Sequence, residues 1–177
     1  MRFDKKIFFF CLIGFLFANV LGSLSHFFYE WSNGSPVLAV FFPVNESTWE
    51  HLKLVIFPVF LYFGVGAFFM RKTPNYPAAA FFCVLSAIVF IPAVFYFYTA
   101  IVGRSVVFMD ILTFTLSLFV GFTVAYYLMT AAPRPVLNIV SYCGIAVILI
   151  LYFTLTYFPP HCFLFRDPIS GGYGIIS

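Results

Sequence analysis

The chain has 177 residues, of which 63% are hydrophobic and 8% charged. A water-soluble domain carries about 45–50% apolar residues, so composition excludes a soluble globular fold, and 28 Phe reinforce the exclusion. The net charge of +3 does not imply nucleic acid; in a membrane protein the positive residues matter by their position relative to the spans.

At about 20 residues per crossing, the chain has room for about five spans. It holds no polar stretch long enough for a separate soluble domain. Residues 1–177 therefore read as a single all-α domain, a polytopic membrane helical bundle. Cys11, Cys83, Cys143 and Cys162 show no CxxC spacing, which argues against a disulfide framework or a thiolate metal site.

Arg2, Lys5 and Lys6 precede an apolar run that predicts a first span over 7–30. The run is longer than a signal-peptide core and lacks a small-x-small cleavage site, so it reads as an uncleaved span. It ends in His26-Phe-Phe-Tyr-Glu-Trp-Ser32, an aromatic belt with two ionisable groups. Asn33-Gly-Ser-Pro36 is turn chemistry. Val37–Phe42 is apolar but too short to cross, which predicts a re-entrant or interfacial segment.

The second span is predicted over 47–70. Ser47-Thr-Trp-Glu50 matches a capping box, with the Ser hydroxyl on the Glu50 amide and the Glu side chain reaching back; Asn45 is a rival cap. Pro58 predicts a kink. The third span covers 77–102, with Pro92 inside it. The fourth covers 105–130 and carries Asp110, Thr113, Ser117 and Gly121 on one helical stripe, expected to face the bundle because small and polar residues pack between helices. The fifth covers 136–158 and stops at Pro159-Pro160. The tail, 159–177, is too broken by Pro and Gly to cross and too apolar for disorder; it is expected to fold over the bundle. Trp31 and Trp49 read as interface anchors.

With five spans, Arg2, Lys5, Lys6, Arg71, Lys72 and Arg134 gather on one side, against Lys53, Arg104 and Arg166 on the other. This excess predicts an N-in, C-out topology. His26, His51, His161, Glu30, Glu46, Glu50, Asp110 and Asp167 then all fall at the outer end. Ionisable groups at membrane depth are costly and tend to be functional.

Imidazoles with carboxylates form a donor set for zinc. His26, His51 and His161 are the expected metal ligands, with zinc as the expected cofactor. Glu50 or Glu46 is the expected general base and Asp110 a ligand or orienter. Glu30, four residues after His26 on the same helical face, would hold a ligand histidine. Asn45 and Asp167 line the same mouth, and Lys53 or Arg166 would meet an anionic headgroup. The function that follows is a metal-dependent hydrolase or transferase acting on a lipid or interfacial substrate, with membrane lipids as partners. Two other readings use the same residues. One is a transporter or channel, for which Thr113, Ser117, Asn138 and Ser141 offer a thin polar lining. The other is a structural or partner-binding polar network.

Three stretches carry a resemblance: His26-Phe-Phe-Tyr-Glu-Trp-Ser32, Pro43-Val-Asn-Glu-Ser-Thr-Trp-Glu-His-Leu-Lys-Leu54 and Phe165-Arg-Asp-Pro-Ile-Ser-Gly-Gly-Tyr-Gly-Ile175. Together they resemble a family of small bacterial integral membrane proteins of unknown function, found largely in Firmicutes, with a Pro-Val-Asn-Glu-Ser-x-Trp-Glu-His-Leu-Lys signature. The resemblance implies a multi-pass protein of the bacterial cytoplasmic membrane and implies no activity. A looser similarity, to ceramidase-like membrane hydrolases, rests on three His and one Asp at one face; this chain has fewer spans and lacks their motif order.

Overall fold

The computed structural model describes residues 4–175. Helix α1 (Lys5–Ser25) starts at Asp4, whose carboxylate accepts the Ile7 N–H at 3.0 Å. It stops at His26, earlier than hydropathy predicts. Two single-turn helices follow, α2 (Phe28–Trp31) and α3 (Pro36–Ala39). Helix α4 (Thr48–His51) is capped by Ser47 and runs through Leu52 into α5 (Lys53–Met70). Helix α6 (Tyr76–Val102) ends at Gly103, whose φ of +78° suits a residue without Cβ. Helices α7 (Val107–Thr130) and α8 (Pro135–Tyr157) complete the set, α8 opening on a proline whose missing N–H costs nothing there. The five crossings α1, α4–α5, α6, α7 and α8 are each long and apolar enough to traverse a bilayer, which makes this a multi-pass membrane protein.

The helices α1, α5, α6 and α7 close a ring, each packing on the next, and α8 lies outside it against α6. Apolar side chains gain little by leaving lipid for protein, so helix association depends on close packing of small residues. Helix α1 turns Cys11, Gly14, Ala18, Gly22 and Ser25 inward. A Cβ on Gly22 would lie 2.5 Å from the Leu54 carbonyl oxygen, so only glycine lets α1 approach α5 this closely. Gly121 plays the same part between α7 and α6, 2.6 Å from the Cys83 carbonyl by the same measure. The predicted α7 stripe faces inward, with Thr113, Ser117 and Gly121 buried. Phe63, Phe122, Val59, Val84 and Leu118 fill the space between.

At the basic end, Asn75 adopts φ +53° and is buried. Its Nδ2 donates to the Leu128 and Ala132 carbonyls, each at 2.9 Å, and its Oδ1 accepts the Arg134 N–H at 2.7 Å. One side chain thus joins the α5–α6 and α7–α8 turns.

At the other end the 37–42 segment dips against protein. Ala39 and Phe42 are buried, and Phe41 and Phe42 pack on Phe57 with ring centroids 5.4 and 5.3 Å away. The tail folds over the bundle: the Trp49 N–H donates to the Leu164 carbonyl at 3.0 Å, and Trp49 stacks on Phe165 at 4.7 Å. Trp49 therefore sits beneath the tail rather than at a lipid boundary, whereas Trp31 is exposed.

Candidate functional site

The Pro43–Leu54 stretch organises the polar end. Ser47 is its pivot. Its Oγ accepts the Glu50 N–H at 3.3 Å, and its carbonyl accepts the His51 N–H at 3.1 Å and faces His51 Nδ1 at 3.0 Å. The second half of the capping box takes a different form. The Ser47 N–H donates to Asn45 Oδ1 at 2.8 Å, which leaves the Glu50 side chain free to turn inward.

There Glu50 meets Lys53. The Lys53 ammonium is wholly buried, 2.7 Å from Glu50 Oε2, and donates to the Ala39 carbonyl at 2.7 Å. Glu50 Oε2 also accepts the Val44 N–H at 3.0 Å. An uncompensated charge in such a place is costly; here each charge neutralises the other, and together they hold the 37–44 segment against the start of α5. Both side chains are committed to this contact and shielded from solvent, Lys53 at 0% and Glu50 at 3% exposure.

His26, Glu46 and His51 do converge. Glu46 Oε1 lies 3.6 Å from His26 Nε2, and Oε2 lies 3.4 Å from His51 Nε2. One ligand atom from each of the three falls within 4.8 Å of the others. The chain turn at His26 and Phe27 brings this about. Because α1 ends there, His26 faces the Glu46 loop and does not share a helical face with Glu30, which is exposed. The imidazoles hold the Glu46 carboxyl well below the usual carboxylate range, the His26 bond contributing most and the His51 bond next.

The remaining predicted residues offer no ligand atom to this group, although the Asp110 charge acts on His51 and the Glu46 charge on Asp167. His161 is exposed and stacks on Tyr173, with ring centroids 4.4 Å apart. Asp110 accepts hydrogen bonds from the Tyr98 hydroxyl and, at 2.6 Å, from the Ser105 hydroxyl, and so organises the α6–α7 turn. Asn45 Nδ2 donates to the Gly174 carbonyl at 2.7 Å and tethers the tail. Asp167 orders the tail's own turn, accepting the Ile169 N–H at 3.0 Å, the Ser170 N–H at 3.3 Å and the Ser170 hydroxyl at 2.6 Å. Burial acts to raise its pKa, but these donors outweigh burial and leave it lowered. Arg166 is exposed beside it, its backbone bridged to Tyr173. On the suggested transport lining, Ser117 and Ser141 donate to carbonyls of their own helices, Phe114 and Leu137, each at 2.7 Å.

Sequence reasoning misses the roles of Asn75 and of Ser47's carbonyl. Asn75 had a signal, as an Asn between a basic turn and a Tyr-Pro helix start; backbone carbonyls carry none.

A family model of unknown function, DUF6512, matches residues 2–175. The chain belongs to the DUF6512 family. No curated protein and no solved structure matches it. The family match spans the helical bundle together with the polar end and the tail that covers it, so the His26–Glu46–His51 group lies within the matched region.

Proposed function

We propose that His26, Glu46 and His51 form a three-ligand site for a divalent transition metal, with zinc as the best fit, at the membrane boundary. One observation carries this reading. His51 Nδ1 lies 3.0 Å from the Ser47 carbonyl, which can only accept, so Nδ1 carries a proton; Nε2 faces the Glu46 carboxylate, and a bound cation would take the place of the proton shared there. A ligand imidazole held through its other nitrogen by a backbone carbonyl is the usual support of a metal site. The donors are within reach of one ion. Zinc bonds of about 2.0–2.1 Å in a tetrahedron place donors about 3.3 Å apart; here one donor from each residue lies within 4.8 Å of the others, and each imidazole stands 3.6 or 3.4 Å from one oxygen of Glu46, a spacing that side-chain adjustment around an ion would close.

Two imidazoles and one carboxylate leave a fourth position for water, the donor set of hydrolytic zinc sites. When bound, the ion supplies Lewis acidity and lowers the pKa of that water. Hydrolysis or group transfer on a lipid or interfacial substrate is the reaction class this supports. The chain's own residues hold the donors: Ser47 orients His51, Asn45 tethers the tail to the loop, and Lys53 with Glu50 fixes the re-entrant segment. In this reading Glu46 serves as ligand rather than base, and His161 is not required. The location that accompanies it, on the resemblance described above, is the bacterial cytoplasmic membrane with the basic end facing the cytoplasm; a C-terminal reporter active only outside tests that orientation.

Metal analysis of the full-length protein purified in detergent without chelator tests the site. One zinc per chain is expected, lost in His26→Ala, His51→Ala and Glu46→Gln and kept in His161→Ala, with helix content unchanged. Loss in His161→Ala would restore the three-histidine set. Absence of metal after growth and purification with added zinc would overturn the proposal. A second reading would then stand, favoured by the short Glu46 contacts: a carboxylate between two imidazoles that latches the end of α1 to the start of α4.

A further inference from the structure

A second polar cavity lies at the opposite end, separated from the His–Glu group by the length of α5, about 27 Å at 1.5 Å per residue. It has a volume of about 570 Å3 and is formed by the start of α1 and the α5–α6 turn. Lys6, Arg71 and Lys72 line it, all exposed, and among the described residues none of them forms an ion pair. Asp4 is the acid in the lining, and its carboxylate caps α1 through the Ile7 N–H. On the membrane side stand Phe68 and Phe69, 83% and 77% exposed.

We propose that this cleft binds an anionic phospholipid, its phosphodiester between Lys6, Arg71 and Lys72 and its acyl chains along Phe68 and Phe69. Three cations, without an ion pair among the described residues, lie at the end of apolar helices, at headgroup depth, where basic residues attract anionic lipids. The occupant must be both anionic and amphipathic, because the cation row continues directly into exposed aromatic surface.

Native mass spectrometry of the full-length protein, titrated in micelles with phosphatidylglycerol or phosphatidylcholine, tests this. The wild type should bind phosphatidylglycerol more tightly. Arg71→Gln with Lys72→Gln should weaken that binding about thirtyfold, from about 1 kcal/mol per basic residue and 1.4 kcal/mol per tenfold. Lys5→Gln with Arg134→Gln removes the same charge from the same end outside the cleft, and should change it less than threefold. Phe68→Ala with Phe69→Ala should weaken both lipids. Equal affinity of the wild type for the two lipids, an equal loss in the two glutamine pairs, or displacement of phosphatidylglycerol by millimolar inorganic phosphate would overturn the proposal. The cleft shares no residue with the metal site, so neither outcome decides the other.

Discussion

The buried Glu50–Lys53 pair makes the sharpest energetic prediction. Replacing Lys53 with Met keeps the volume of the side chain and removes its charge. Glu50, 3% exposed at its side chain, would be left with the Val44 N–H as its donor, and the Ala39 carbonyl would lose its ammonium. Removing one partner of a buried pair costs about 3–5 kcal/mol, whereas replacing both by neutral groups is often close to neutral. Lys53→Met and Glu50→Gln should therefore each be costly. The double variant should cost less than their sum by at least about 2 kcal/mol, the signature of direct coupling. For a chain of this size 1 kcal/mol corresponds to about 2–4 °C, so each single change should lower the melting temperature by about 6–20 °C. Detergent-solubilised protein, unfolded by heat or by titrated sodium dodecyl sulfate, reports this through Trp49 fluorescence, since Trp49 stacks on the tail beside the pair. Single variants costing under about 1 kcal/mol, or singles that simply add, would refute the reasoning.

Three further outcomes follow from the same geometry. Asn75→Ala removes three hydrogen bonds that join two turns and places alanine at φ +53°; it should cost about 3 kcal/mol or more, while Asn75→Gly, free of the backbone strain, should cost less in the same melt. Gly121→Val would drive a side chain onto the Cys83 carbonyl, separating α6 from α7, and should prevent recovery of folded protein on size-exclusion chromatography, whereas Gly64→Ala, with open space around it, should behave as wild type. Glu46 and Asp167 both have folded pKa values below their unfolded ones. Their contribution is present above the ordinary carboxylate pKa and is lost as pH falls below about 4.5. Glu46 is half-exposed, so its share is about 1 kcal/mol or less; Glu46→Gln should lower the melting temperature near neutral pH by about that share and flatten the acid limb, with the two proteins converging as pH falls below about 4.5.

The two ends of the chain differ in how far they can be read from residues alone. Hydropathy finds every crossing because the cost of apolar length is a local sum over about 20 residues. The α7 stripe is legible for a related reason: small and polar side chains in lipid have few places to go except a neighbouring helix. The same logic, applied to Cys11, Gly14, Ala18 and Gly22, would have found the buried face of α1.

The polar site was legible only as a neighbourhood. His26 and Glu30 satisfy the i, i+4 rule, yet the helix stops at His26 and the rule does not apply. Glu46 and Glu50 are equivalent as sequence, four residues apart on either side of a cap. One becomes the carboxylate between two imidazoles and the other a buried counter-ion. His161 shares the end of the molecule with the other histidines but packs on Tyr173 within the tail.

Composition and spacing alone determine that this is a five-crossing helical membrane protein with its acids and histidines concentrated around Pro43–Leu54, because those properties are sums over neighbouring residues. The tertiary structure decides which charge meets which. Each pairing depends on where α1 breaks, how deeply residues 37–42 dip, and which face of α4 the tail covers, and those distances are set between segments far apart in the chain.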